Sequence, residues 1–556
     1  MSISKRFDPV DVAIIGSGMG GAAAAKILAE AGLKVVCLEQ GRWPQQYGHP
    51  HASPDWEWQR VMGRWRTAAN LRRCPEDYPV DTEDEEPLMW NGVGGSTVHY
   101  TATWPRYRPS DFRKGREHGY APDWPITYED LEPFYEINDR DCGTAGFVGD
   151  PAMPPRKGFS TPPHPHGLYG PLVAKAFNQL GWHWWPMDMA VITEDYDGRK
   201  ACNHCGNCQS GCPRGSLADV SVTHWPKALR AGAELRTNSR VEIIETDANG
   251  RASGVVYVDL ISGVRYFQPA DIVIVAANGI GTPRLLLNSA NGKFPNGLAN
   301  SSDQVGRNLM HHGLAIVEMW IDDYTDIHKG IVSAAMICSE FAETDVKRGF
   351  INGVTLHVVR MNGAGYQAFG SHSGNTAPWG REHHAWFRKH WGHGVCILVV
   401  GEDLPLPENR VTLSETVKDS SGMPAPKVTY QLHPNDRKIV DFGIERAKDL
   451  AQALGAWEVK VNNFTAPGKK YRPGAWHLLG TCRMGDDPET SVVNRWQQCW
   501  DIPNLYIMDG SPMVTSAAVN PTSTIGAMTV RAAAYLRDHF RAAREAKRTT
   551  REGVGG

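Results

Sequence analysis

The stretch Asp11–Gly41, DVAIIGSGMGGAAAAKILAEAGLKVVCLEQG, restricts the possible folds of this 556-residue chain more than any other stretch. Its apolar run Val12–Ile15 suits a buried parallel strand and leads directly into a glycine-rich segment with G-x-G-x-x-G spacing. An Ala-rich helical segment and a second apolar run, Val35–Leu38, come next, and Glu39 ends the unit. This order predicts a strand, a tight turn, a helix and a second strand, which together form the dinucleotide-binding unit of parallel α/β sheets.

Each part of this unit has a physical task in binding a pyrophosphate. Gly16, Gly18 and Gly21 let the backbone approach the phosphates closely, and the helix directs free N–H groups and the positive end of its dipole towards them. Glu39 can accept hydrogen bonds from ribose hydroxyls. Because both strands, the helix and the acid occur together, we interpret the stretch as a dinucleotide site rather than as an accidental glycine-rich turn.

The bulk composition limits the classes of function. With 41% hydrophobic residues the chain can bury a large core, and its length favours two domains, one of them discontinuous. The formal net charge of −3 provides no basic field for nucleic acid. The first residues contain no apolar signal segment, and no later run approaches the roughly 18 apolar residues of a membrane helix.

A second glycine-containing segment, Asn91–Arg106, has the sequence NGVGGSTVHYTATWPR. Gly94 and Gly95 permit a close approach of the backbone, while Ser96 and His99 supply a hydroxyl and an imidazole that can hold a ligand. Taken alone, the segment is equally compatible with a simple turn and with a binding site.

Together with the first glycine unit, this segment makes a family resemblance recognisable along nearly the whole chain. The chain resembles the glucose-methanol-choline (GMC) oxidoreductases. Further landmarks of that family match GIGTPRLLLNS at 279–289, VGRNLMHH at 305–312 and PENRVTLS at 407–414. The resemblance implies FAD as the cofactor and an α/β fold, in which a glutathione-reductase-type, Rossmann-like FAD-binding domain joins a sheet-based α+β substrate domain.

The resemblance also implies the domain boundaries. We expect a discontinuous FAD-binding domain at 1–312 and 470–545, with a cysteine-containing insertion at about 198–216. A substrate-binding domain is expected at 313–469, and a disordered tail at 546–556. Strand-like runs at 315–321, 395–400 and 427–431 and an amphipathic helix at 434–454 suit the substrate domain. Its tryptophans 379, 386 and 391 are candidate platforms for stacking a sugar, or ordinary core residues.

Further cofactor contacts follow from the resemblance. Two alternating strands around an Asp-Ala-Asn-Gly turn between residues 236 and 259 predict a hairpin, and in the family this hairpin lies near the adenine, where we expect Val241. The late apolar strand 505–511 is expected to return beside the first strand, so that Asp509 and Gly510 meet the flavin's ribityl and pyrophosphate groups. Asn520 and Thr522, at the start of the last helical stretch, are expected to contact the cofactor as well.

The mode of flavin attachment stays open. The GGST segment is one residue out of step with the usual family spacing and resembles the pyranose 2-oxidase branch instead. In that branch the histidine aligned with His99 is covalently joined to the flavin, so His99 is either a covalent anchor or a noncovalent contact.

Two stretches near the C-terminus match the family's catalytic residues. His477, in GAWHLLGTCRMG, aligns with the active-site histidine, and Asn520, in AAVNPTST, occupies the second active-site position. Oxidation of an alcohol requires loss of the O–H proton while hydride leaves the carbon, and a neutral histidine is a suitable proton acceptor. Asn520 can hold the same oxygen as a hydrogen-bond donor.

Four cysteines form a separate pattern in CNHCGNCQSGCP. Cys202, Cys205, Cys208 and Cys212 follow the ferredoxin spacing C-x-x-C-x-x-C-x-x-x-C-P, in which the first three thiolates can hold one iron–sulfur cluster. A four-cysteine zinc knuckle and a disulfide pair are the competing interpretations.

The cysteine pattern directs the resemblance to a branch that includes the large subunits of bacterial glucose and glucoside 3-dehydrogenases. This branch implies a [3Fe-4S] cluster, for which three of the four cysteines suffice, and oxidation of a sugar, with the C3 hydroxyl of a glucoside as the expected site. It also implies an external acceptor such as a c-type cytochrome, and a small signal-bearing subunit that carries the folded chain to the periplasm.

Several alternatives to this function stay open. The oxidised position can be sugar C1 or C2, or the substrate can be gluconate. A peroxide-forming sugar oxidase with a zinc knuckle, a lyase whose flavin stays oxidised and a non-catalytic electron carrier are the other classes. A cytoplasmic location is the alternative to export.

Overall fold

The computed structural model describes residues 3–44, 77–82, 87–206, 208–332, 334–360, 363–369, 377–466 and 476–553. The strands, in chain order, are β1 (Lys5–Arg6), β2 (Val10–Ile15), β3 (Val35–Leu38), β4 (Asp81–Thr82), β5 (Trp184–Pro186), β6 (Glu234–Arg236), β7 (Ser239–Thr246), β8 (Ala252–Asp259), β9 (Arg265–Val275), β10 (Gly313–Trp320), β11 (Ala334–Cys338), β12 (Val354–Val359), β13 (Gly394–Gly401), β14 (Arg410–Lys418), β15 (Pro424–Thr429), β16 (Glu458–Asn463) and β17 (Leu505–Ile507).

The α-helices are α1 (Met19–Glu30), α2 (Lys114–Glu117), α3 (Tyr128–Cys142), α4 (Tyr169–Leu180), α5 (Val220–Thr223), α6 (Trp225–Arg230), α7 (Asn278–Asn288), α8 (Ala364–Phe369), α9 (His383–His390), α10 (Pro434–Ala453) and α11 (Thr522–Gly553). Short 3₁₀ turns lie at Gly95–Val98, Pro109–Phe112, Cys208–Ser210, Val346–Arg348 and Gly380–Glu382. Among the described residues, no helix combines the length and the apolar character that crossing a membrane requires.

The first sheet has the strand order β6-β3-β2-β9-β8-β7, and β1 and β17 pair with β9 as well. Its central strands β6, β3, β2, β9 and β17 run parallel, while β7 and β8 add an antiparallel hairpin. Both faces of β2 are buried, because Ala13 and Ile15 belong to one core and Val12 and Ile14 pack with α1 in another. Strands covered on both faces have continuous apolar sequences, which is why the run at 12–15 predicted a parallel strand.

The second sheet is antiparallel and has the order β16-β10-β13-β12-β11-β5. On one face, Val317 and Ile397 pack against Ile439 and Val440 of α10. Side chains of the opposite face line the cavity described below. The alternation of the strands therefore gives one face to the core and the other to the site.

The structure extends the substrate unit beyond the predicted range 313–469. Strand β5 completes the edge of the second sheet by pairing with β11, and α4 packs in the same core. The hairpin β14–β15 forms a small third sheet with β4 and lies against α7 of the first unit. Long-range pairing of short segments, which no local pattern encodes, accounts for both differences.

Other predicted elements agree closely with the structure. The hairpin between residues 236 and 259 is β7–β8, and the amphipathic helix 434–454 is α10. The predicted strand 505–511 is shorter, at Leu505–Ile507, and the expectation that it lies beside the first strand was wrong, because β9 lies between β17 and β2. The tail differs, because α11 extends to Gly553 where disorder was expected from residue 546. Strong helix formers in AAREAKR at 542–548 continue the helix. Residues 554–556 lie outside the described part of the chain.

Candidate active site

One cavity of about 870 Å³ lies where the ends of β2 and β9 meet the free face of the second sheet. It brings together most of the predicted site residues, although they come from distant parts of the sequence. The predicted residues that line it are Gly16, Gly18, Glu39, Gly95, Ser96, His99, Val241, His477, Asp509, Gly510, Asn520 and Thr522.

The first glycine segment shapes one end of this cavity. Gly16 has φ of +96°, and a Cβ atom there would lie 2.4 Å from the carbonyl oxygen of Ala276 in the loop after β9. A Cβ atom on Gly21 would lie 1.9 Å from the carbonyl oxygen of Gly16. Gly21 does not line the cavity, since its role is to let α1 pack tightly onto the turn. Gly18 is the N-cap of α1, so the N-terminus of that helix opens on the cavity.

Glu39 is fixed at the end of β3. Its Oε2 accepts hydrogen bonds from the Ser17 backbone N–H at 3.0 Å and from Ser17 Oγ at 2.6 Å, and its Oε1 accepts from the Gly41 N–H at 2.9 Å. A carboxylate offers about four acceptor positions, so Glu39 retains capacity for a further hydroxyl donor. These contacts hold the acid at the cavity wall, where a ribose hydroxyl of a dinucleotide can reach it.

The second glycine segment abuts the first. A Cβ atom on Gly95 would lie 2.8 Å from Cα of Gly18, whereas a Cβ atom on Gly94 would lie 2.5 Å from Oδ1 of Asp219. Gly94, with φ of +101°, therefore turns the chain behind the wall and does not line the cavity. The predicted contacts Gly95, Ser96 and His99 do line it.

The imidazole of His99 is held by the cysteine-containing loop. Its Nδ1 lies 3.0 Å from the carbonyl oxygen of Gln209, which also lines the cavity. Because a carbonyl oxygen only accepts hydrogen bonds, Nδ1 of His99 carries a proton. His99 is thus held with its Nδ1 as a donor, beside the expected flavin.

The late strand contributes the opposite wall. Asp509, directly after β17, accepts hydrogen bonds from Thr282 Oγ1 at 2.6 Å and from the Ser511 N–H at 2.7 Å. Burial raises the pKa of Asp509 above its ordinary value. A Cβ atom on Gly510 would lie 2.7 Å from the carbonyl oxygen of Leu478, so a larger residue would displace the segment that follows His477. Together, the closely packed backbone at the glycine segments and the carboxyl groups of Glu39 and Asp509 form a site that fits FAD.

His477 is buried in the cavity wall beside three other histidines. Its Nδ1 lies 2.9 Å from Nδ1 of His312, and its carbonyl oxygen accepts from Nδ1 of His311 at 2.9 Å. The amide Nδ2 of Asn520 lies 3.3 Å from Nε2 of His477. Burial lowers the pKa of His477 well below 6.5, and the neighbouring His312, His311 and His357 lower it further. The side chain is therefore a neutral imidazole at neutral pH.

The wall of the cavity opposite the glycine segments is mainly aliphatic. It comes from the free face of the second sheet, where β10, β12 and β13 place Leu314, Ile316, Val359, Leu398 and Val400. The tryptophans 379, 386 and 391, which were candidate sugar platforms, do not line the cavity, and Trp379 is 85% exposed. Trp90 and Trp476 line it instead. The interpretation of these three tryptophans as sugar-stacking side chains was wrong, because the loop and helix that carry them, at 377–391, lie away from the cavity.

The four loop cysteines occupy different environments. All are free thiols; Cys208 is buried, Cys202 and Cys212 are half-buried and Cys205 is exposed. Burial raises the pKa of Cys202 to about 11 and that of Cys208 to about 12. Within the ranges that the structure describes, no three Cys, His, Asp or Glu side chains converge as metal ligands. The thiols have the donor chemistry of an iron–sulfur site, and the charges of Cys202, Cys212 and Cys205 also raise the pKa of Cys208, so the four side chains are neighbours.

Sequence reasoning missed two residues that contact the predicted machinery. His312, at the end of VGRNLMHH, was matched only as a landmark of the family, and His357 of β12 carried no signal at all. His357 lines the cavity and has its pKa lowered to about 3 by burial. Only the alternation of β12, combined with the position of the cavity, could have indicated it.

Comparison with known proteins agrees with this geometry. The GMC oxidoreductase family matches residues 16–314 and 405–529. The chain is 48% identical over 537 residues to the 2-methyl-1,2-propanediol dehydrogenase of Mycolicibacterium austroafricanum, covering 96% of each chain. It is 30% identical over 559 residues to the fructose dehydrogenase large subunit of Gluconobacter japonicus, covering 95% of this chain and 98% of the relative.

Solved structures share the fold at low sequence identity. Pyridoxine 4-oxidase from Mesorbium loti superposes with a TM-score of 0.62 at 18% identity, over 95% of this chain and 99% of that one. A formate oxidase superposes with a TM-score of 0.63 at 15% identity, over 96% and 99%. The architecture predicted from the sequence is confirmed by these matches, and the chain belongs to the GMC oxidoreductase family.

Proposed function

We propose that this chain is an FAD-dependent dehydrogenase that oxidises a hydroxyl group of a small alcohol, with vicinal diols as the preferred substrates. The observation that carries the proposal is the pair His477–Asn520, which lies in the same cavity as the glycine cradle and opposite an aliphatic wall. A proton acceptor, an amide donor and a cofactor cradle in one cavity are what alcohol oxidation requires.

Different residues of the chain have separate roles in this reaction. When bound, FAD supplies the acceptor for the hydride that leaves the carbinol carbon. His477, neutral because burial lowers its pKa, takes the hydroxyl proton. Asn520 donates from Nδ2 towards the same point and orients the substrate oxygen. The aliphatic side chains exclude water from the carbon that loses hydride.

The diol preference rests on the wall and on the similar proteins. A polyhydroxylated sugar needs many polar partners, because each hydroxyl buried without a hydrogen bond costs about 1–3 kcal/mol. The side chains of Leu314, Ile316, Val359, Leu398 and Val400 offer none, and His357 and Asn462 are the polar side chains that line the cavity from the described part of β12 and β16. This wall suits a branched hydrocarbon body, and the relative with 48% identity is named for such a diol. The similarity to fructose dehydrogenase supports a sugar hydroxyl, including glucoside C3, as the second candidate.

A substrate panel distinguishes these candidates. The purified protein is mixed anaerobically with 2-methyl-1,2-propanediol, 1,2-propanediol, methyl glucoside, glucose, fructose or gluconate, and loss of the oxidised flavin spectrum is followed. The proposal expects diols to give the highest kcat/KM. Faster reduction by a sugar would overturn the diol preference. Peroxide formation in air would indicate an oxidase, and turnover with oxidised flavin a lyase.

The iron–sulfur cluster stays a prediction from the cysteine spacing. Two hydrogen bonds join its loop to the cavity: Gln209 accepts from His99, and the carbonyl of Gly206 accepts from Arg360, which also lines the cavity. Iron, sulfide and zinc are measured in protein purified without oxygen. Iron and sulfide in the protein would support the cluster, whereas zinc alone would support the knuckle, and absence of all three would remove both.

Four further predictions accompany the function. His99, with Nδ1 protonated, is the candidate covalent flavin anchor, and flavin retained after acid precipitation would support that role. A small signal-bearing subunit, a c-type cytochrome acceptor and export to the periplasm are proposals that rest on the family branch. Co-purification from the native host tests the two partners.

A further inference from the structure

We propose that His312 is a positioning residue that fixes the tautomer of His477, so that Nδ1 of His477 carries the proton and Nε2 faces the cavity as the free base. This inference rests on the proposed role of His477 in the function above. His312 touches neither the substrate nor the cofactor in this account, and it acts only through the ring of His477.

The outer nitrogen of His312 is a hydrogen-bond donor. Its Nε2 lies 2.8 Å from the carbonyl oxygen of Ala517. A carbonyl oxygen accepts hydrogen bonds and cannot donate, so Nε2 of His312 must carry a proton. His312 is fully buried, and burial lowers its pKa to about 4. At neutral pH the ring therefore has a single proton, on Nε2, and its Nδ1 is a hydrogen-bond acceptor with a lone pair.

That lone pair determines the state of His477. The two Nδ1 atoms are 2.9 Å apart, a hydrogen-bond distance at which one proton must lie between them. Since the His312 proton is on Nε2, the shared proton belongs to Nδ1 of His477. His477 is neutral as well, because its pKa is lowered by burial, so its Nε2 has no proton. The substrate hydroxyl can then transfer its proton to Nε2, which forms the imidazolium.

The surrounding contacts keep both rings in place. The rings of His312 and His477 are nearly perpendicular, with centroids 4.7 Å apart. His311, the preceding residue, donates from Nδ1 to the carbonyl of His477 and so holds its backbone. Ala517, which accepts from His312, belongs to the same segment as Asn520. One segment therefore orients both the positioning histidine and the amide that meets the base.

The other titratable neighbours do not reverse this assignment. His311 uses Nδ1 as a donor to a carbonyl. Thr355 Oγ1 donates to the carbonyl of Ala518 at 2.6 Å and lies 3.0 Å from Nε2 of His357. Nε2 of His357 is therefore the donor to Thr355, and burial keeps this ring neutral, with its pKa lowered to about 3. The ring of His357 therefore places no fixed positive charge beside the base.

Two matched substitutions separate positioning from packing. In His312→Asn, Oδ1 occupies nearly the position of the ring Nδ1 and still accepts from His477, while the bond to Ala517 is lost. In His312→Gln, the amide reaches the position of Nε2 and keeps the bond to Ala517, while the acceptor beside His477 is lost. A purely structural role would favour the Gln variant, whereas a tautomer-fixing role favours the Asn variant.

The measured quantity is the rate of flavin reduction at saturating diol, together with KM, FAD content and Tm. We expect His312→Gln to lose about 10²–10⁴-fold in rate with KM nearly unchanged, as expected when a base has the wrong tautomer. His312→Asn should stay within about tenfold of the wild type. Equal rates in the two variants, or a faster Gln variant, would overturn the inference.

A second measurement covers the case in which either variant fails to fold. Wild-type protein labelled with ¹⁵N-histidine gives ring-nitrogen signals, and His477→Gln identifies those of His477. The inference expects a neutral ring with a protonated Nδ1, and a protonated Nε2 would overturn it. A His477→Ala protein that is reduced at the wild-type rate would instead overturn the proposed function itself.

Discussion

The ionisation of His477 determines the pH range in which the enzyme should work. The pKa of this histidine lies well below 6.5, because the ring is buried and faces His312, His311 and His357. The neutral form is the base, so activity is present above this pKa and is lost as the pH falls through it. We therefore expect the rate of flavin reduction to be flat from about pH 8 to about pH 6.5 and to fall only at lower pH. Anaerobic stopped-flow measurements at saturating diol test this, and a tenfold loss within that flat range would contradict it.

Substitution of Asn520 should change this pH profile in a specific way. In Asn520→Asp, a carboxylate replaces the amide that lies 3.3 Å from Nε2 of His477 and raises the pKa of the imidazole. The rate at neutral pH should fall and recover as the pH rises. Asn520→Ala, the matched control, should lose about 2–10-fold in rate without a shift in the profile, since it removes one neutral hydrogen bond. Identical profiles for the two variants would contradict the contact.

At this scale the sequence predicted residues that carry a motif and missed those that act by contact. Gly16, Glu39, His477 and Asn520, which line one cavity, are marked in the sequence by their spacing or by a family match. His312 could not be found in this way, because it lies 165 positions from His477 in the sequence and meets it only when β10 and the segment after residue 476 converge. A histidine on its own carries no signal of the partner it will have.

Among the elements, the turn between β2 and α1 depends on the absence of side chains. A Cβ atom on Gly21 would lie 1.9 Å from the backbone oxygen of Gly16, whereas one on Gly18 would lie 3.7 Å from Cα of Gly95. Gly21→Ala should therefore lower the free energy of unfolding by about 1–3 kcal/mol, because backbone must move. Gly18→Ala, at φ of −70°, should leave it nearly unchanged. Thermal melting of both variants tests this, and equal Tm values would contradict it.

Elements with a strong periodic pattern were predicted within a few residues, and short ones were not. The apolar and alternating runs of β2, β10 and β13 and the amphipathic α10 have clear periods. Strand β5 has only three residues, and it is a strand because β11 offers it an edge. Tertiary pairing, rather than local sequence, therefore determined the boundary of the substrate unit.

At the scale of the whole molecule, a buried ion cluster joins the two units. Lys114 Nζ lies 2.9 Å from Asp111 Oδ1 and 2.8 Å from Oε1 of Glu402, which follows β13 of the second sheet. Lys114→Met would leave two carboxylates buried without their cation, at a cost of about 3–5 kcal/mol. Thermal melting should show a large loss of Tm.

The control for this substitution is an exposed pair on α10. Lys448 Nζ lies 2.7 Å from Glu445 Oε1, with both side chains about half exposed. Lys448→Met should cost only about 0–1 kcal/mol, as is typical of surface ion pairs. A Lys114→Met protein as stable as this control would show that the cluster does not hold the units together.

The global architecture followed from the family resemblance, while the substrate did not. Wall residues such as Leu314 and Leu398 come from separate strands, and only their convergence on one face makes the cavity aliphatic. The expected sugar specificity came from overall likeness and the cysteine spacing, neither of which contains information about that wall.

Anaerobic reduction of the bound flavin by 2-methyl-1,2-propanediol, in the wild type and in His477→Ala, tests the central claim most directly. We expect rapid loss of the oxidised flavin spectrum in the wild type. In His477→Ala, with FAD still bound, the rate should fall by about 10²–10⁴-fold. A variant reduced as fast as the wild type would contradict the assignment of His477 as the base, and a wild-type flavin that no alcohol or sugar reduces would contradict the proposed function.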